Sequence, residues 1–431
     1  MSLAIEKEKI NELKQLAKKH DVEVSIVGEF TASGKFHVLF RDVTVAYLDM
    51  KFLHEGVPQM KLKATWTEKI FPEPVITETS LSEIMKKLLA CPNIASKETI
   101  VRRFDHEVKA FSVVKPFMRG PTNGGVLKPI FSSYEGLVIS HGICPKFIQD
   151  TKEMTALAFD EAVRNALATG AKFGYLAALD NFSWPDPLPS PSNPEAEYKL
   201  AQLVRSCIAL YDYATAYGIP FISGKDSMKN DYVIGDERHS ILPTLLITLV
   251  GKIDDIRKAV TPDFKNPGDY IYVLGKARDE LGGSEYYKLF NGVGNTIPKV
   301  RNDENIPLYR ALSHATDEKL IASCHDISDG GMAIALCESS FGSGYGADFD
   351  MGFMPKETEK EDVLLFAENP GRFIVSVKAE QVEKFEKCFA GTVFGKVGRV
   401  RGDKRLIIRK GEEILINEDT SDLKQIWAKG I

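Results

Sequence analysis

The chain has 431 residues, with 55 Lys and Arg against 60 Asp and Glu, and a formal net charge of −5. Its length predicts about three domains, and its 44% hydrophobic and 27% charged residues argue against a disordered chain. The near balance of charge argues against a protein that coats nucleic acid. No apolar run approaches the roughly 18 residues that span a bilayer, so we expect no membrane partner.

The start of the chain and its cysteines indicate a cytoplasmic protein. Residues 1–20 are charged and amphipathic, unlike a secretory signal. None of the six cysteines forms a CxxC pair, which argues against a zinc knuckle and against a small disulfide scaffold. A reducing compartment fits this cysteine usage best.

The first 65 residues predict a small fragment that depends on a partner. Its predicted elements are a helix at 5–19, a strand at 22–30 and a hairpin formed by 35–40 and 43–48. One helix on a short sheet is small for an independent core. Residues 66–104 are predicted to be a linker that contains a helix at 81–89.

From residue 105 onward strands alternate with helices, which predicts an α/β fold. A polar stretch at 255–266 with two prolines indicates a boundary, so we predict one domain at 105–260 and another at 261–431. The predicted helices are at 153–169, 195–217, 307–316, 331–339 and 381–389. The predicted strands are at 136–140, 175–180, 220–223, 242–251, 270–274, 321–323, 371–377 and 395–401, with a hairpin over 406–417.

Glu161 and Asn165 lie about 40° apart on one face of the predicted helix at 153–169. That helix is apolar nearly all round, which is typical of a buried helix. Because buried polar groups need partners, Mg²⁺ is one possibility, since it prefers oxygen ligands and often also binds substrate phosphates. A satisfied pair of hydrogen bonds is the alternative, and the helix alone does not decide between the two.

Two glycine-containing turns are candidate phosphate sites. The run HDISDGG (325–331) precedes a predicted helix, where Ser328 or Asp329 could cap the helix and the glycines would let a phosphate approach its N–H groups. Capping does not require two aspartates and two glycines, so phosphate or metal binding is favoured. The run GGS (282–284) is a second possible anion nest, with a flexible turn as an equal alternative.

The remaining polar motifs are weaker when each is taken alone. The run SGKDS (223–227) lacks the Walker A pattern and predicts a surface turn with an ion pair. Asp105 alone is typical of a turn or cap. Together these residues predict a two-unit α/β protein with a Mg²⁺–nucleotide site that has no P-loop. They do not identify a substrate.

Taken together, the motifs resemble the second half of the phosphoribosylformylglycinamidine synthase family, within the AIR synthase-like superfamily. The motifs that carry the resemblance are FDHEV (104–108), LDNFSWPDP (179–187), SGKDSM (223–228), LGGSEYY (281–287), HDISDGG (325–331) and AENPGRF (367–373). The resemblance covers residues 105–431 well. Residues 1–65, with DMKFLHEGVP at 49–58, resemble the closing part of the domain that ends the family's first half.

The resemblance implies a fold and an activity. The fold would be an AIR synthase-like N-domain with a barrel-forming sheet and an AIR synthase-like C-domain, preceded by a partial α/β domain. The activity would be the ATP-dependent amidation of formylglycinamide ribonucleotide with ammonia derived from glutamine. The implied partners are the missing N-terminal half, a glutaminase subunit and a small accessory subunit.

The resemblance also implies site residues and the cofactors Mg²⁺ and ATP or ADP. The implied metal ligands are Asp105, Glu161, Asn165 and Asp326. The implied nucleotide and phosphate positions are Lys225, Asp226, Gly282, Gly283, Ser284, Asp329, Gly330 and Gly331. The family's catalytic histidine belongs to the first half, so no catalytic residue is predicted here, and the pocket of the second half is often auxiliary.

Several expectations follow for the isolated chain. We expect a truncated piece or one subunit of a split enzyme, without synthase activity alone, that forms a homodimer through residues 105–260. The alternatives are another ATP-dependent enzyme of the AIR synthase-like superfamily, or a nucleotide-binding scaffold without catalysis.

Overall fold

The structure is a computed structural model that describes residues 1–104, 107–118, 120–235 and 237–429. Its residues form two compact units, Met1–Leu62 and Lys63–Ile431. Helices and sheets are mixed in the larger unit, which confirms the predicted α/β class. No helix in the part that the structure describes is long and apolar enough to cross a membrane.

The first unit is a helix followed by a hairpin. Its elements are α1 (Ile10–Lys19), β1 (Lys35–Phe40), β2 (Val43–Asp49) and α2 (Met50–Glu55). Within residues 1–62, all of which the structure describes, Ala17 alone is buried. The strand predicted at 22–30 was wrong, because this segment pairs with none of the strands that the structure describes.

The second unit begins with helices and a six-stranded sheet. Its elements up to residue 253 are α3 (Leu81–Leu89), α4 (Glu98–Val101), β3 (Ser112–Val114), β4 (Gly125–Leu127), β5 (Gly136–Ile143), α5 (Thr151–Thr169), β6 (Leu176–Ser183), α6 (Ala196–Tyr217), β7 (Phe221–Ser227), β8 (Asp231–Ile234), β9 (Glu237–Ser240) and β10 (Thr244–Ile253). The sheet order is β3-β4-β5-β10-β6-β7, and β8 pairs only with β9 among the described strands.

One face of this sheet is covered and the other is open. Side chains along β5 and β10 alternate between buried and less buried positions, as the two-residue period of a strand requires. The buried residues pack against α5, which comes so close that a Cβ at Gly142 would lie 2.1 Å from the Ala158 carbonyl oxygen. The open face carries Leu137 and Ile143, which are 37% and 42% exposed.

A seven-stranded sheet and its helices form the rest of the second unit. These elements are β11 (Tyr270–Leu274), α7 (Glu285–Leu289), α8 (Asn302–Asp317), β12 (Ser323–Asp326), α9 (Gly331–Phe341), β13 (Gly346–Asp350), α10 (Glu361–Phe366), β14 (Phe373–Val377), α11 (Val382–Cys388), β15 (Phe394–Arg401), β16 (Arg405–Lys410), β17 (Glu413–Asp419) and α12 (Thr420–Ala428). The strand order is β12-β14-β11-β15-β13-β16-β17, with β13 and β16 parallel.

The predicted linker packs along the second unit. Trp66 stacks on Tyr198 of α6 with ring centroids 5.3 Å apart, and the Arg205 guanidinium lies 4.2 Å from the Trp66 ring centroid. Helix α3 then buries Met85 and Leu88 in the core beside the seven-stranded sheet. The linker therefore joins the two sheets through apolar and cation–π contacts.

Candidate functional site

Helix α5 positions Glu161 and Asn165 against strand β5. The backbone N–H of Ile143 donates to Glu161 Oε2 at 2.8 Å, and Asn165 Nδ2 donates to the His141 carbonyl at 3.1 Å. The helix begins at an Asp150 cap and ends at Gly170 in the left-handed conformation. Both polar side chains thus have protein partners, so their position on an apolar helix does not by itself require a metal.

Glu161 is buried, and both its burial and the nearby carboxylates oppose its ionisation. Burial raises the pKa of Glu161 to about 7, and the nearby charges of Asp329 and Asp326 add to this increase, while Arg164 opposes it. A carboxyl group with such a pKa is poorly compensated by the cations of the protein. Glu161, Asp326 and Asp329 therefore share one electrostatic environment, although they come from separate elements.

Asp326 ends strand β12 and is held by Arg164. Arg164 Nη1 donates to Asp326 Oδ2 and to the Ile327 carbonyl, each at 3.0 Å, while Arg164 Nε donates to Asp160 Oδ2 at 2.9 Å. Burial opposes ionisation of Asp326, but the hydrogen bond with His325 and the charge of Arg164 together lower its pKa. Asp326 is therefore an ionised, oriented carboxylate inside the protein.

His325 links this carboxylate to two further polar side chains. Its Nδ1 lies 2.6 Å from Asn123 Oδ1 and 3.5 Å from Asp326 Oδ1, and its Nε2 lies 2.8 Å from Glu338 Oε2. Burial opposes protonation, but Asp326 and Glu338 together raise the pKa of His325 to about 9. His325 is thus a buried cation at neutral pH.

A single carboxylate connects the two glycine-containing turns. Glu368 Oε1 accepts from the backbone N–H of Gly330 at 2.8 Å and from that of Glu285 at 3.0 Å. Lys146 Nζ donates both to Glu368 Oε2 and to Asp329 Oδ1. Burial, with a contribution from Asp329, raises the pKa of Glu368 to about 7, and Lys146 counteracts part of this increase.

The cap of helix α9 differs from the one that the sequence predicted. Gly330, in the left-handed conformation, precedes α9, and no side chain within the turn caps the helix, so the expectation that Ser328 or Asp329 would do so was wrong. Gly331 has a φ of +73°, and a Cβ there would lie 2.7 Å from the Leu365 carbonyl oxygen. Ser284 does cap the short helix α7, by accepting from the Tyr287 N–H at 3.2 Å.

Lys225 and Asp226 lie elsewhere on the six-stranded sheet. They belong to the edge strand β7 and are exposed, so the predicted surface turn with an ion pair was wrong. Lys225 pairs in register with Asn181, Asn181 with Leu246, and Leu246 with Ile143. Three strand spacings, or about 14 Å of backbone, therefore separate Lys225 from the strand that holds Glu161. Asp105 lies outside the described residues.

A cavity of about 470 Å³ adjoins the polar cluster formed by Glu161, Asn165, His325 and Asp326. Its walls are mainly apolar and include Phe111, Val114 and Ile139, with Asn123 and His141 as polar groups. Asn123 contacts His325, and the carbonyl of His141 accepts from Asn165. Within residues 1–104, 107–118, 120–235 and 237–429, no group of three or more His, Cys, Asp or Glu side chains is placed to hold a metal ion.

Four charged residues of the cluster were missed in the sequence: Lys146, Asp160, Arg164 and Glu368. Asp160 is fully buried and accepts from Tyr217, Tyr309, Asn305 and the Gly371 N–H as well as from Arg164. The signal for Asp160 and Arg164 was their charge on the otherwise apolar helix α5. Glu368 lies in the AENPGRF motif, but no spacing rule connects it to the glycine turns.

Comparison with known proteins agrees with this fold and motif pattern. Residues 266–411 match the family described as AIR synthase related protein, C-terminal domain. The phosphoribosylformylglycinamidine synthase subunit PurL of Thermoplasma acidophilum is 30% identical over 98% of this chain and 54% of that protein. The sequence similarity to PurL thus extends over nearly the whole of this chain. The PurL subunit of Carboxydothermus hydrogenoformans is 32% identical over 100% of this chain and 57% of that protein, so the chain spans about half the length of these curated relatives.

Solved PurL structures share the fold. Thermotoga maritima PurL complexed with FGAR has a TM-score of 0.62 and 15% identity, with 80% of this chain and 54% of that chain covered. A HypE–HypF complex has a TM-score of 0.54 and 17% identity, with 75% of this chain and 97% of that chain covered. The similarity to the HypE–HypF complex shows that this fold also occurs in proteins other than PurL.

Proposed function

We propose that this chain forms the second half of a phosphoribosylformylglycinamidine synthase. That enzyme would use ATP to amidate formylglycinamide ribonucleotide with ammonia derived from glutamine. The proposal is supported by the motifs and by relatives named for this synthase that match nearly the whole chain. In this proposal residues 1–65 are the end of a first-half domain, 66–104 a linker, 105–260 the N-domain and 261–431 the C-domain.

The same proposal assigns a Mg²⁺–nucleotide pocket to the cavity bounded by Asn123 and His141. The observation that carries it is geometric: Asn123 in the wall of that cavity contacts His325, which lies 3.5 Å from Asp326, and the carbonyl of His141 accepts from Asn165. Its apolar walls suit a purine base, while oxygen-bearing side chains at one end suit a cation and phosphates. Solved Thermotoga maritima PurL structures are described as complexed with ATP and with ADP.

The residues present fit a hard cation. Mg²⁺ is usually held by one or two carboxylates together with substrate phosphates and water, so a cage of three acidic side chains is not required. Glu161, Asn165 and Asp326 would supply oxygen ligands, with Asp105 as a fourth by resemblance. The ion would neutralise charge on the nucleotide phosphates. Within this chain, Arg164 keeps the Asp326 carboxylate ionised and oriented.

The glycine turns are proposed to face the phosphates. Lys146 is a cation close to both turns, because it contacts Asp329 and Glu368 directly. A phosphate at Gly330 would compete with the Glu368 carboxylate for the Gly330 N–H. The proposal also places four further residues of these turns beside the phosphates: Gly282, Gly283, Ser284 and Gly331. The role of Lys225 and Asp226 beside the pocket stays a prediction, because their strand is three strands away.

A calorimetric titration tests the nucleotide pocket. We expect the chain to bind ADP in a Mg²⁺-dependent manner and Glu161→Gln to weaken that binding by about tenfold or more, because it removes the negative charge of a proposed ligand. Glu153→Gln, in the first turn of the same helix, is the matched control and should bind within about twofold of the original chain. Binding that does not respond to Mg²⁺ would contradict the proposal.

The proposed partners are the remainder of the synthase, a glutaminase subunit and a small accessory subunit, and the isolated chain is proposed to lack synthase activity. A Thermotoga maritima structure is described as PurLQS, which supports the existence of such an assembly for that protein. The chain alone is also proposed to form a homodimer through residues 105–260. The open face of the six-stranded sheet supports this, because it exposes apolar side chains such as Leu137 and Ile143.

Sedimentation velocity tests the homodimer. We expect the chain to sediment as a dimer and Leu137→Lys to shift it toward the monomer, because a buried lysine in an apolar interface would lose hydration. Lys152→Gln, on α5 at the covered face of the sheet, is a control that leaves the open apolar face intact. A monodisperse monomer of the original chain would rule the homodimer out.

A nucleotide-binding scaffold without catalysis is the second candidate. The observation in its favour is that Glu368 already accepts from the N–H groups at both glycine turns, as a structural anion would. The same titration separates the candidates. Nucleotide that copurifies with the chain and does not exchange with added ADP favours the scaffold.

A further inference from the structure

Residues 65–74, here called the strap, are attached to the rest of the second unit at two anchors. At the first anchor the Thr65 N–H donates to the Glu197 carbonyl at 3.1 Å, and the Trp66 ring stacks on the Tyr198 ring. Glu197 precedes helix α6 as its cap in the chain, and Tyr198 lies within α6, beside the six-stranded sheet. A backbone bond and ring stacking therefore fix this end of the strap.

The second anchor lies on the loop that follows α7, residues 291–296. The Asn295 side chain accepts from the Phe71 N–H at 2.7 Å and donates to the Phe71 carbonyl at 2.6 Å, so it pairs with the strap as a neighbouring strand would. The Gly294 N–H donates to the Pro72 carbonyl at 3.3 Å. The strap therefore holds this loop through both a side chain and the backbone.

The same loop occupies the N–H groups of the GGS turn (282–284). The Gly282 N–H donates to the Thr296 carbonyl at 2.9 Å, and the Gly283 N–H donates to the Val293 carbonyl at 2.7 Å. A Cβ at Gly282 would lie 2.8 Å from the Thr296 carbonyl carbon, so the loop and the turn are in direct contact. An anion nest works through free N–H groups. The turn is therefore closed to a phosphate while the loop keeps its place.

We propose that the strap keeps the GGS turn closed and that release of the strap opens this turn to a phosphate-type anion. While the strap holds the loop, the carbonyls of Thr296 and Val293 take the place of the anion. When the loop moves away, the N–H groups of Gly282 and Gly283 become free to bind an oxyanion. The inference deepens the proposed function and rests on it, because that proposal places phosphates beside this turn.

The strap and the anion have opposite effects on one equilibrium. The anion binds only the open turn, so its apparent affinity is reduced by the fraction of molecules in which the turn is open. By linkage, a bound anion must weaken the hold of the strap by the same factor. Within the strap only Trp66, Phe71 and Pro74 are even partly buried. Its release therefore exposes little apolar surface.

Amide hydrogen exchange of the full chain without nucleotide tests the hold of the strap on the turn. Asn295→Leu removes both side-chain bonds to Phe71. We expect exchange at Gly282 and Gly283 to become about tenfold faster, because the loop loses two of the hydrogen bonds that keep it in place. Unchanged exchange at these two amides in Asn295→Leu overturns the inference.

Two further variants separate the strap from a general loss of structure. Gly292→Ala leaves Asn295 intact but should also speed exchange at the GGS turn, because a Cβ at residue 292 would lie 2.3 Å from Pro74 Cβ and push the strap away. Ile70→Ala is the matched control within the strap, since Ile70 is 85% exposed, and should stay within about twofold of the original chain. Equal acceleration by Ile70→Ala and Asn295→Leu would overturn the inference.

Pyrophosphate binding, measured by calorimetry, tests the opening of the turn itself. We expect Asn295→Leu to bind pyrophosphate about tenfold more tightly than the original chain, because the turn is open in more of its molecules. Saturating pyrophosphate should also speed exchange at the Phe71 N–H of the original chain. Equal or weaker binding by Asn295→Leu would mean that the strap orders the turn, and overturns the inference. Failure of Mg²⁺–ADP to bind would contradict the nucleotide pocket alone, because pyrophosphate carries no base.

Discussion

Replacing Glu161 with Gln is expected to raise the free energy of unfolding at pH 8 by as much as about 3 kcal/mol. Burial and the neighbouring aspartates raise the pKa of Glu161 to about 7, from the usual 4.5 of a glutamate. The folded protein therefore binds this proton more tightly than the unfolded chain does. Stability from this group is present below about pH 4.5 and is lost as the pH rises through 7.

Chemical denaturation at pH 5 and at pH 8 measures this effect. Glu161→Gln should be within about 1 kcal/mol of the original chain at pH 5 and exceed it clearly at pH 8, because glutamine does not ionise. Glu195→Gln, at the exposed start of α6, is the control and should differ little at either pH. Equal stability of Glu161→Gln and the original chain at pH 8 would show that the carboxylate is well compensated. A gain in stability together with weaker Mg²⁺–ADP binding is typical of a functional site.

Replacing Arg164 with Met is expected to lower the free energy of unfolding by about 3 to 5 kcal/mol. Arg164 bridges the buried carboxylates of Asp160 and Asp326, and methionine would leave both without their cation. The measurement is denaturant unfolding at pH 7. Arg102→Met, which breaks the exposed pair with Glu98, should leave the curve almost unchanged. A similarly small effect of Arg164→Met would mean that the other donors to Asp160 suffice.

Elements whose sequence signals lie within the element itself could be predicted from the sequence. The hairpin at 35–49, helix α3 and strand β11 lie where periodicity and turn residues predict them. Residues 22–30 have strand propensity but no pairing strand, and residues 223–227 have turn composition but pair with β6. In both cases tertiary partners decide the outcome, since strand formation depends on its neighbours more than on propensity.

The candidate site was predictable only in part for the same reason. The polar face of α5 indicated Glu161 and Asn165, and the HDISDGG run indicated Asp326 and Asp329. The pairs that connect them join residues far apart in the sequence, 162 positions for Arg164 with Asp326 and 222 for Lys146 with Glu368. No periodicity links such positions, so their meeting is a property of the tertiary fold.

The hydrogen bonds to Asp160 restrict how the pocket can open. They fasten α5 and α6 beside the six-stranded sheet to α8 and to Gly371 beside the seven-stranded sheet. A hinge between the two sheets would break several buried bonds at once, which makes that motion costly. If the cavity is the proposed nucleotide pocket, ligand entry would therefore involve the short strands β3 and β4, whose residues line one wall of the cavity and whose ladders are brief.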